Sequence, residues 1–137
     1  MKIFSLFTIF MLICFTSYCQ PMLGCTRDEI LAVIDKNATI TFLEENLSPN
    51  GTPYIKASVY TDLVAVWFFK DGAVYQYKVI LPPDMINDYI LFFDDNLFYN
   101  GILQWIDYST GVKTYYYMRK EIKGDNYQVT VSWKELI

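Results

Sequence analysis

Asp71-Gly72 stands between two runs of strand-forming residues, Leu63–Lys70 and Ala73–Ile80. Valine, tryptophan, phenylalanine and tyrosine favour a pleated, half-buried surface. An Asp-Gly pair supplies the two positive φ angles that a two-residue hairpin turn demands. This segment therefore folds as an antiparallel hairpin, and the rest of the chain must extend that sheet or cover it. Further strands are expected at Thr39–Glu44, Tyr54–Thr61, Ile102–Tyr108, Val112–Ile122 and Tyr127–Trp133. Between them lie turn-forming stretches: Asn46–Pro53, Ser109-Thr110-Gly111 and Lys123-Gly124-Asp125-Asn126.

Two helices are expected. Thr26-Arg27-Asp28-Glu29 is a capping box, in which the Thr26 hydroxyl accepts from the Glu29 amide while the Glu29 carboxylate reaches back. Ile30, Leu31, Val33 and Ile34 then form one apolar face, and Lys36-Asn37 closes the helix. Pro82-Pro83-Asp84 ends the sheet and opens the second helix. There Ile86, Tyr89, Ile90, Phe93 and Leu97 fall at helical spacing, and Asn100-Gly101 stops it. The order is helix, four strands, helix, three strands. Tight turns between consecutive strands make the pairing antiparallel. The fold expected is therefore α+β: an antiparallel sheet of about six to seven strands, with two helices packed on one face.

The start of the chain does not belong to that domain. Lys2 precedes Ile3–Phe15, a run with no charge, and the polar stretch Thr16–Pro21 follows. This is the layout of a secretory signal, with Ser17 and Cys19 as small residues before a cut at Gln20. The apolar run is shorter than the roughly 20 residues that a spanning helix takes. Removing residues 1–19 from the 137-residue chain leaves 118, enough for one domain over 20–137. Lys2 leaves with the signal, moving the net charge from −4 to −5. An acidic chain without a basic run is unsuited to nucleic acid, where affinity rests on cations neutralising phosphates. Cleavage also removes Cys14 and Cys19, so Cys25 is left without an intramolecular partner. Met22-Leu23-Gly24-Cys25 offers an alternative, because glycine before cysteine is part of a lipoprotein signal and would make Cys25 a lipidation site.

Several chemistries are missing. The chain has no histidine, which excludes Ser-His-Asp and Cys-His catalysis and histidine metal ligation. Gly51, Gly72, Gly101, Gly111 and Gly124 are isolated turn glycines, not a phosphate-cradling loop. Asp94-Asp95-Asn96 lacks the alternating spacing of a calcium loop. No catalytic residue, metal site or cofactor is expected, and the chain reads as a non-enzyme.

Strand alternation proposes a surface instead. With Asp71-Gly72 as a two-residue turn, Phe69 faces Val74, Phe68 faces Tyr75 and Trp67 faces Gln76. Val64, Val66, Phe68, Tyr75, Tyr77 and Val79 then form the core, while Ala65, Trp67, Phe69, Gln76 and Lys78 face away. In the last hairpin Tyr116, Met118, Ile122, Tyr127, Val129, Val131 and Trp133 share the core side with Leu103 and Trp105. Ile106, Tyr108, Tyr115, Tyr117 and Arg119 face out. Exposed aromatic patches mark interaction surfaces, and Trp, Tyr and Arg anchor them. The candidate binding residues are therefore Trp67, Phe69, Tyr108, Tyr115, Tyr117 and Arg119.

A helix entered by Thr26-x-x-Glu29, a meander holding Asp71-Gly72, a second helix, then Gly101 and Trp105 resembles a set of small exported bacterial proteins of unknown function. The architecture is also similar to that of exported inhibitor and envelope-assembly domains. Together these readings predict a secreted or periplasmic binding domain for a protein partner, with no transmembrane segment in the mature chain. Two alternatives stand beside it. One is an acidic inhibitor or immunity-type protein that neutralises a basic enzyme or toxin. The other is a glycan-binding surface. The lipidated form would place the same domain on a membrane.

Overall fold

A computed structural model of the chain describes residues 23–60, 62–109 and 111–135. The expected signal peptide, residues 1–19, lies outside the described residues. Helix α1 is Arg27–Lys36, followed by strands β1 (Ile40–Leu47), β2 (Pro53–Val59), β3 (Leu63–Lys70) and β4 (Ala73–Leu81). A 3₁₀ turn at Pro83–Met85 leads into α2 (Ile86–Asn96). Strands β5 (Phe98–Gly101), β6 (Gln104–Asp107), β7 (Thr114–Lys120) and β8 (Tyr127–Ser132) complete the chain. The fold is α+β and mostly sheet. One helix followed by a four-stranded meander occurs twice in chain order.

All eight strands form one antiparallel sheet in the order β1-β2-β3-β4-β8-β7-β6-β5. The two meanders therefore meet through their last strands, with Tyr77 opposite Val131 and Val79 opposite Val129. The eighth strand was not expected. Leu97, Phe98 and Tyr99 continue the apolar character of α2, so they read as helix. The helix instead ends at Asn96, and Phe98 pairs with Ile106.

One core lies on one face of this sheet, and both helices contribute to it. The capping box forms as expected: the Glu29 amide donates to the Thr26 hydroxyl at 3.3 Å, and the Thr26 amide donates to Glu29 at 2.9 Å. Ile30 and Ile34 are the residues that α1 buries. Helix α2 buries Tyr89 and Phe93. The Phe93 ring lies 5.1 Å from that of Trp105 and 5.3 Å from that of Tyr116. Trp105 also donates its indole N–H to Asp94 at 2.8 Å, which fixes the angle of α2 over β6.

The chain just before α1 is part of this core. Leu23 and Cys25 are buried completely. The Gly24 amide donates to the Val74 carbonyl at 2.7 Å, and the Val74 amide donates to the Cys25 carbonyl at 2.8 Å. This segment continues the pairing of β4 past the end of β8. Gly24 has a φ of +86°, and a Cβ there would meet the Trp133 ring at 2.9 Å, so only glycine fits. Cys25 is disulfide-bonded, which the count of cysteines remaining after cleavage did not foresee.

The β3–β4 hairpin corrects the expected faces. Asp71 and Gly72 have φ of 55° and 82°, as the turn requires. Phe69 faces Val74 as expected, but the register shifts between Phe68 and Phe69, so Phe68 faces Gln76 and Trp67 faces Tyr77. Tyr75 is the extra residue of the bulge. A one-residue shift sends every β3 side chain beyond it to the other side. Trp67, at 2% exposure, and Phe69, at 8%, are therefore core residues, together with Ala65. Val64, Val66 and Phe68 take the opposite face, and Tyr75 is exposed. In the last hairpin the faces stand as expected, with Tyr116, Met118, Val129 and Val131 buried. Strand β7 ends at Lys120, so Ile122 falls outside the sheet and is 94% exposed. Trp133 is also exposed, with its ring against Gly24.

Both sheet edges are irregular. Strand β1 carries a register break between Phe42 and Glu44, and β5 has only four residues, with a break between Tyr99 and Gly101.

The two tryptophan and tyrosine positions singled out by the sequence should now behave oppositely. Trp67→Ala should lower stability by about 3–5 kcal/mol, the loss of a large buried ring. Tyr117→Ala, on the open face, should cost about 1 kcal/mol or less. Urea unfolding followed by tryptophan fluorescence checks both, and similar costs would overturn the assignment of faces.

Candidate functional site

The face of the sheet turned away from the helices is built from the alternate residues of every strand. Across β2, β3, β4, β8, β7, β6 and β5 one row runs Tyr54, Phe68, Gln76, Ser132, Tyr115, Ile106 and Phe98. The next row runs Lys56, Val66, Lys78, Thr130, Tyr117 and Gln104. A third holds Ser58, Val64, Ile80, Gln128 and Arg119. Val66 and Ile106 are buried yet lie outside the helix-side core, shielded by their neighbours on this face. No described residue of α1 or α2 packs here.

Four of the six residues singled out in the sequence come together on this surface: Tyr108, Tyr115, Tyr117 and Arg119. Trp67 and Phe69 do not, because the bulge at Tyr75 turns them inward. Their places are taken by Phe68 and Val66, together with Tyr54 on the neighbouring strand. Reading Tyr75 as a bulge was the missing signal. A single tyrosine more than the turn requires, between two otherwise alternating runs, leaves no mark in hydropathy.

Rings and cations interleave on the face. Phe98 and Tyr108 meet edge to face with centroids 5.1 Å apart, and Tyr54 lies 6.0 Å from Phe68. The Lys78 ammonium stands 5.4 Å above the Phe68 ring. Lys113 stands 5.9 Å from Tyr108 and 5.5 Å from Tyr115, in the range of cation–π attraction. At the β1 end the Tyr54 hydroxyl donates to Glu44 at 3.0 Å.

The centre of the face is electrostatically unbalanced. Burial, and after it the charge of Arg119, holds the Lys78 ammonium below its ordinary range. Among the described residues neither Lys78 nor Arg119 lies within ion-pair distance of a carboxylate. The Gln128 side-chain oxygen beside them is buried and accepts no hydrogen bond. The face as a whole carries Lys56, Lys78, Lys113 and Arg119, against Glu44 and, just beyond β7, Glu121. The helix layer has the opposite balance. Asp28, Glu29, Asp35, Asp84, Asp88, Asp94 and Asp95 stand there against Arg27 and Lys36.

A second concavity of about 620 Å³ opens between the start of α1, the β1–β2 turn and the β3–β4 turn. Arg27, Glu45, Lys70 and Asp71 are the charged residues of its lining. Arg27 forks onto Glu45, the Nη2–Oε1 arm at 2.7 Å and the Nε–Oε2 arm shorter still. This fork joins α1 to β1 across the cleft. Among the described residues no group of three or more Cys, Asp or Glu side chains is placed to hold a metal ion, and no helix is long and apolar enough to cross a membrane. Cys25, the alternative lipidation site, is buried in the core.

The Arg27–Glu45 fork makes a pH prediction. The Arg27 hydrogen bonds hold the Glu45 carboxylate below its usual range. A depressed carboxylate stabilises the fold above its unfolded pKa of about 4.3 and loses that contribution as pH falls through the lower folded value. Glu45→Gln should therefore melt slightly below the parent at pH 7, and the gap should close under acid. Thermal unfolding between pH 7 and pH 2 checks this, and a gap that widens in acid would contradict it. No family model, curated protein or solved structure matches the chain, so the functional reading rests on these side chains alone.

Proposed function

We propose that this chain is an exported, non-enzymatic binding domain that meets a protein partner with its open sheet face. The observation that supports this most is the face itself: eight strands wide, covered on the helix side and bare on the other among the described residues. Uncovered apolar patches of this kind are characteristic of interaction surfaces. Tyr115, Tyr117 and Arg119 are of the types that anchor interfaces, and they sit on rigid central strands. The half-buried branched side chains of Val64 and Ile80 on this face favour a protein over a glycan. Sugar platforms use stacked rings and polar groups, and branched alkyl groups offer a sugar neither.

Export rests on the charged, apolar and polar layout of residues 1–21. The fold adds an argument about where the signal is cut. A cut before Gln20 keeps Leu23 in the core and the Gly24–Val74 hydrogen bond intact. A cut before Cys25 removes both and draws a completely buried residue to the chain end for acylation. The mature chain is then a soluble envelope or secreted protein beginning at Gln20.

One observation favours a second reading. The acidic helix layer is a distinct surface, suited to a basic enzyme or toxin of the kind inhibitors and immunity proteins neutralise. A photo-crosslinking residue placed at Tyr117 or at Asp95 in the native host separates the two. One defined adduct from position 117, absent from position 95, is the expected result. The reverse pattern would favour the inhibitor. The intact mass of the mature chain should match residues 20–137 without acyl mass, and a species starting at acylated Cys25 would overturn the soluble form.

A further inference from the structure

We propose that the centre of the open face, around Lys78 and Arg119, receives carboxylate side chains of an acidic protein partner. This rests on the open face being the partner surface, and it adds the partner's chemistry.

Lys78 projects from β4 and Arg119 from β7, with β8 between them, so both cations stand on the same side near the middle of the sheet. The charged group that acts on Lys78 is Arg119, a like charge. The ring of Phe68 is the contact the ammonium has made instead. The chain holds 15 acidic side chains, yet most of those on regular elements lie on the helix layer, away from this pair. Two neighbouring cations without a carboxylate leave a charge deficit that a ligand can fill. Carboxylates brought by a partner would remove the repulsion between them and form charge-assisted hydrogen bonds. Lys78 is half-buried, which strengthens its pair relative to a rim pair, while Arg119 is exposed and reaches toward the partner's approach.

The surroundings define the rest of the partner. Phe68 and Ile80, both half-buried, stand beside Lys78, so the carboxylates must come with apolar side chains beside them. An acidic protein surface meets both demands. A second copy of this chain has an acidic helix layer, but docking it on the sheet face joins two different surfaces, which builds a ring or a filament and not a two-fold dimer. A polyuronate brings the charge without the apolar groups.

The test is a displayed library of random peptides about 12 residues long, panned against the mature chain and against the Lys78→Gln/Arg119→Gln variant. Circular dichroism melting first establishes that the variant folds, and Lys78→Arg serves as the charge-conserving control. Peptides retained by the parent should be rich in Asp and Glu next to Leu or Phe. They should bind the double variant about ten-fold or more weakly, keep their affinity for Lys78→Arg, and lose affinity as salt rises. Neutral or basic peptides, or acidic ones that bind the double variant equally well, would overturn the proposal. If such peptides are still lost with Tyr117→Ala, the face reading stands and the charge reading alone fails. If Tyr117→Ala has no effect either, both fail. An oligouronate that binds more tightly than the acidic peptides would replace the protein partner with a glycan. Concentration-dependent sedimentation that the double variant abolishes would replace it with a second copy.

Discussion

The ladder between β4 and β8 holds the molecule together. Each meander is a local structure, closed by short turns, but neither has another way to reach the other half of the sheet. Strand β8 returns past α2 and three other strands to lie against β4, and it places Val129 and Val131 beside Val79 and Tyr77. Joining segments this distant in sequence carries a loop-closure cost that local hairpins avoid. The core offsets it: Phe93 of α2 packs on Trp105 and Tyr116 from the second meander, while Ile30 and Ile34 of α1 lie over the first. Everything on the open face depends on this joint, since Lys78 belongs to one meander and Arg119 to the other.

Much of the fold was legible. The capping box at Thr26 and Glu29, the Asp71-Gly72 turn and the periodicity of Tyr89 and Phe93 each encode a local preference, and local preferences survive in the folded chain. What could not be read were decisions made between segments. Phe98 and Tyr99 are apolar enough for either a helix end or a strand, and the pairing of Phe98 with Ile106 decides for the strand. Tyr75 becomes a bulge between two stretches of the same ladder, Phe69 with Val74 on the turn side and Phe68 with Gln76 beyond it. That one residue moved Trp67 and Phe69 from the expected binding surface into the core. Tyr108, Tyr115, Tyr117 and Arg119 were placed correctly because β6, β7 and β8 alternate without a break there.

The charge of the chain also gains a direction. As a sum it is −4, which describes an acidic protein with no evident preference beyond solubility. In the fold the acidic groups concentrate along the two helices, and the sheet face opposite them is cationic at its centre. The molecule has two chemically distinct sides, with the buried core between them. A partner would experience the side it approaches, not the sum.

The irregular edges of the sheet have a consequence for how this protein meets others. Bare edge strands are templates on which further strands add, in productive complexes and in aggregates alike. Here one edge is broken at Leu43 and flanked by Glu44 and Glu45, which a neighbouring backbone would have to desolvate. The other edge is only four residues long, with a break between Tyr99 and Gly101. Growth of the sheet sideways is therefore blocked at both ends. Recognition is directed onto its surface, where side chains select the partner and backbone hydrogen bonds take no part in the choice.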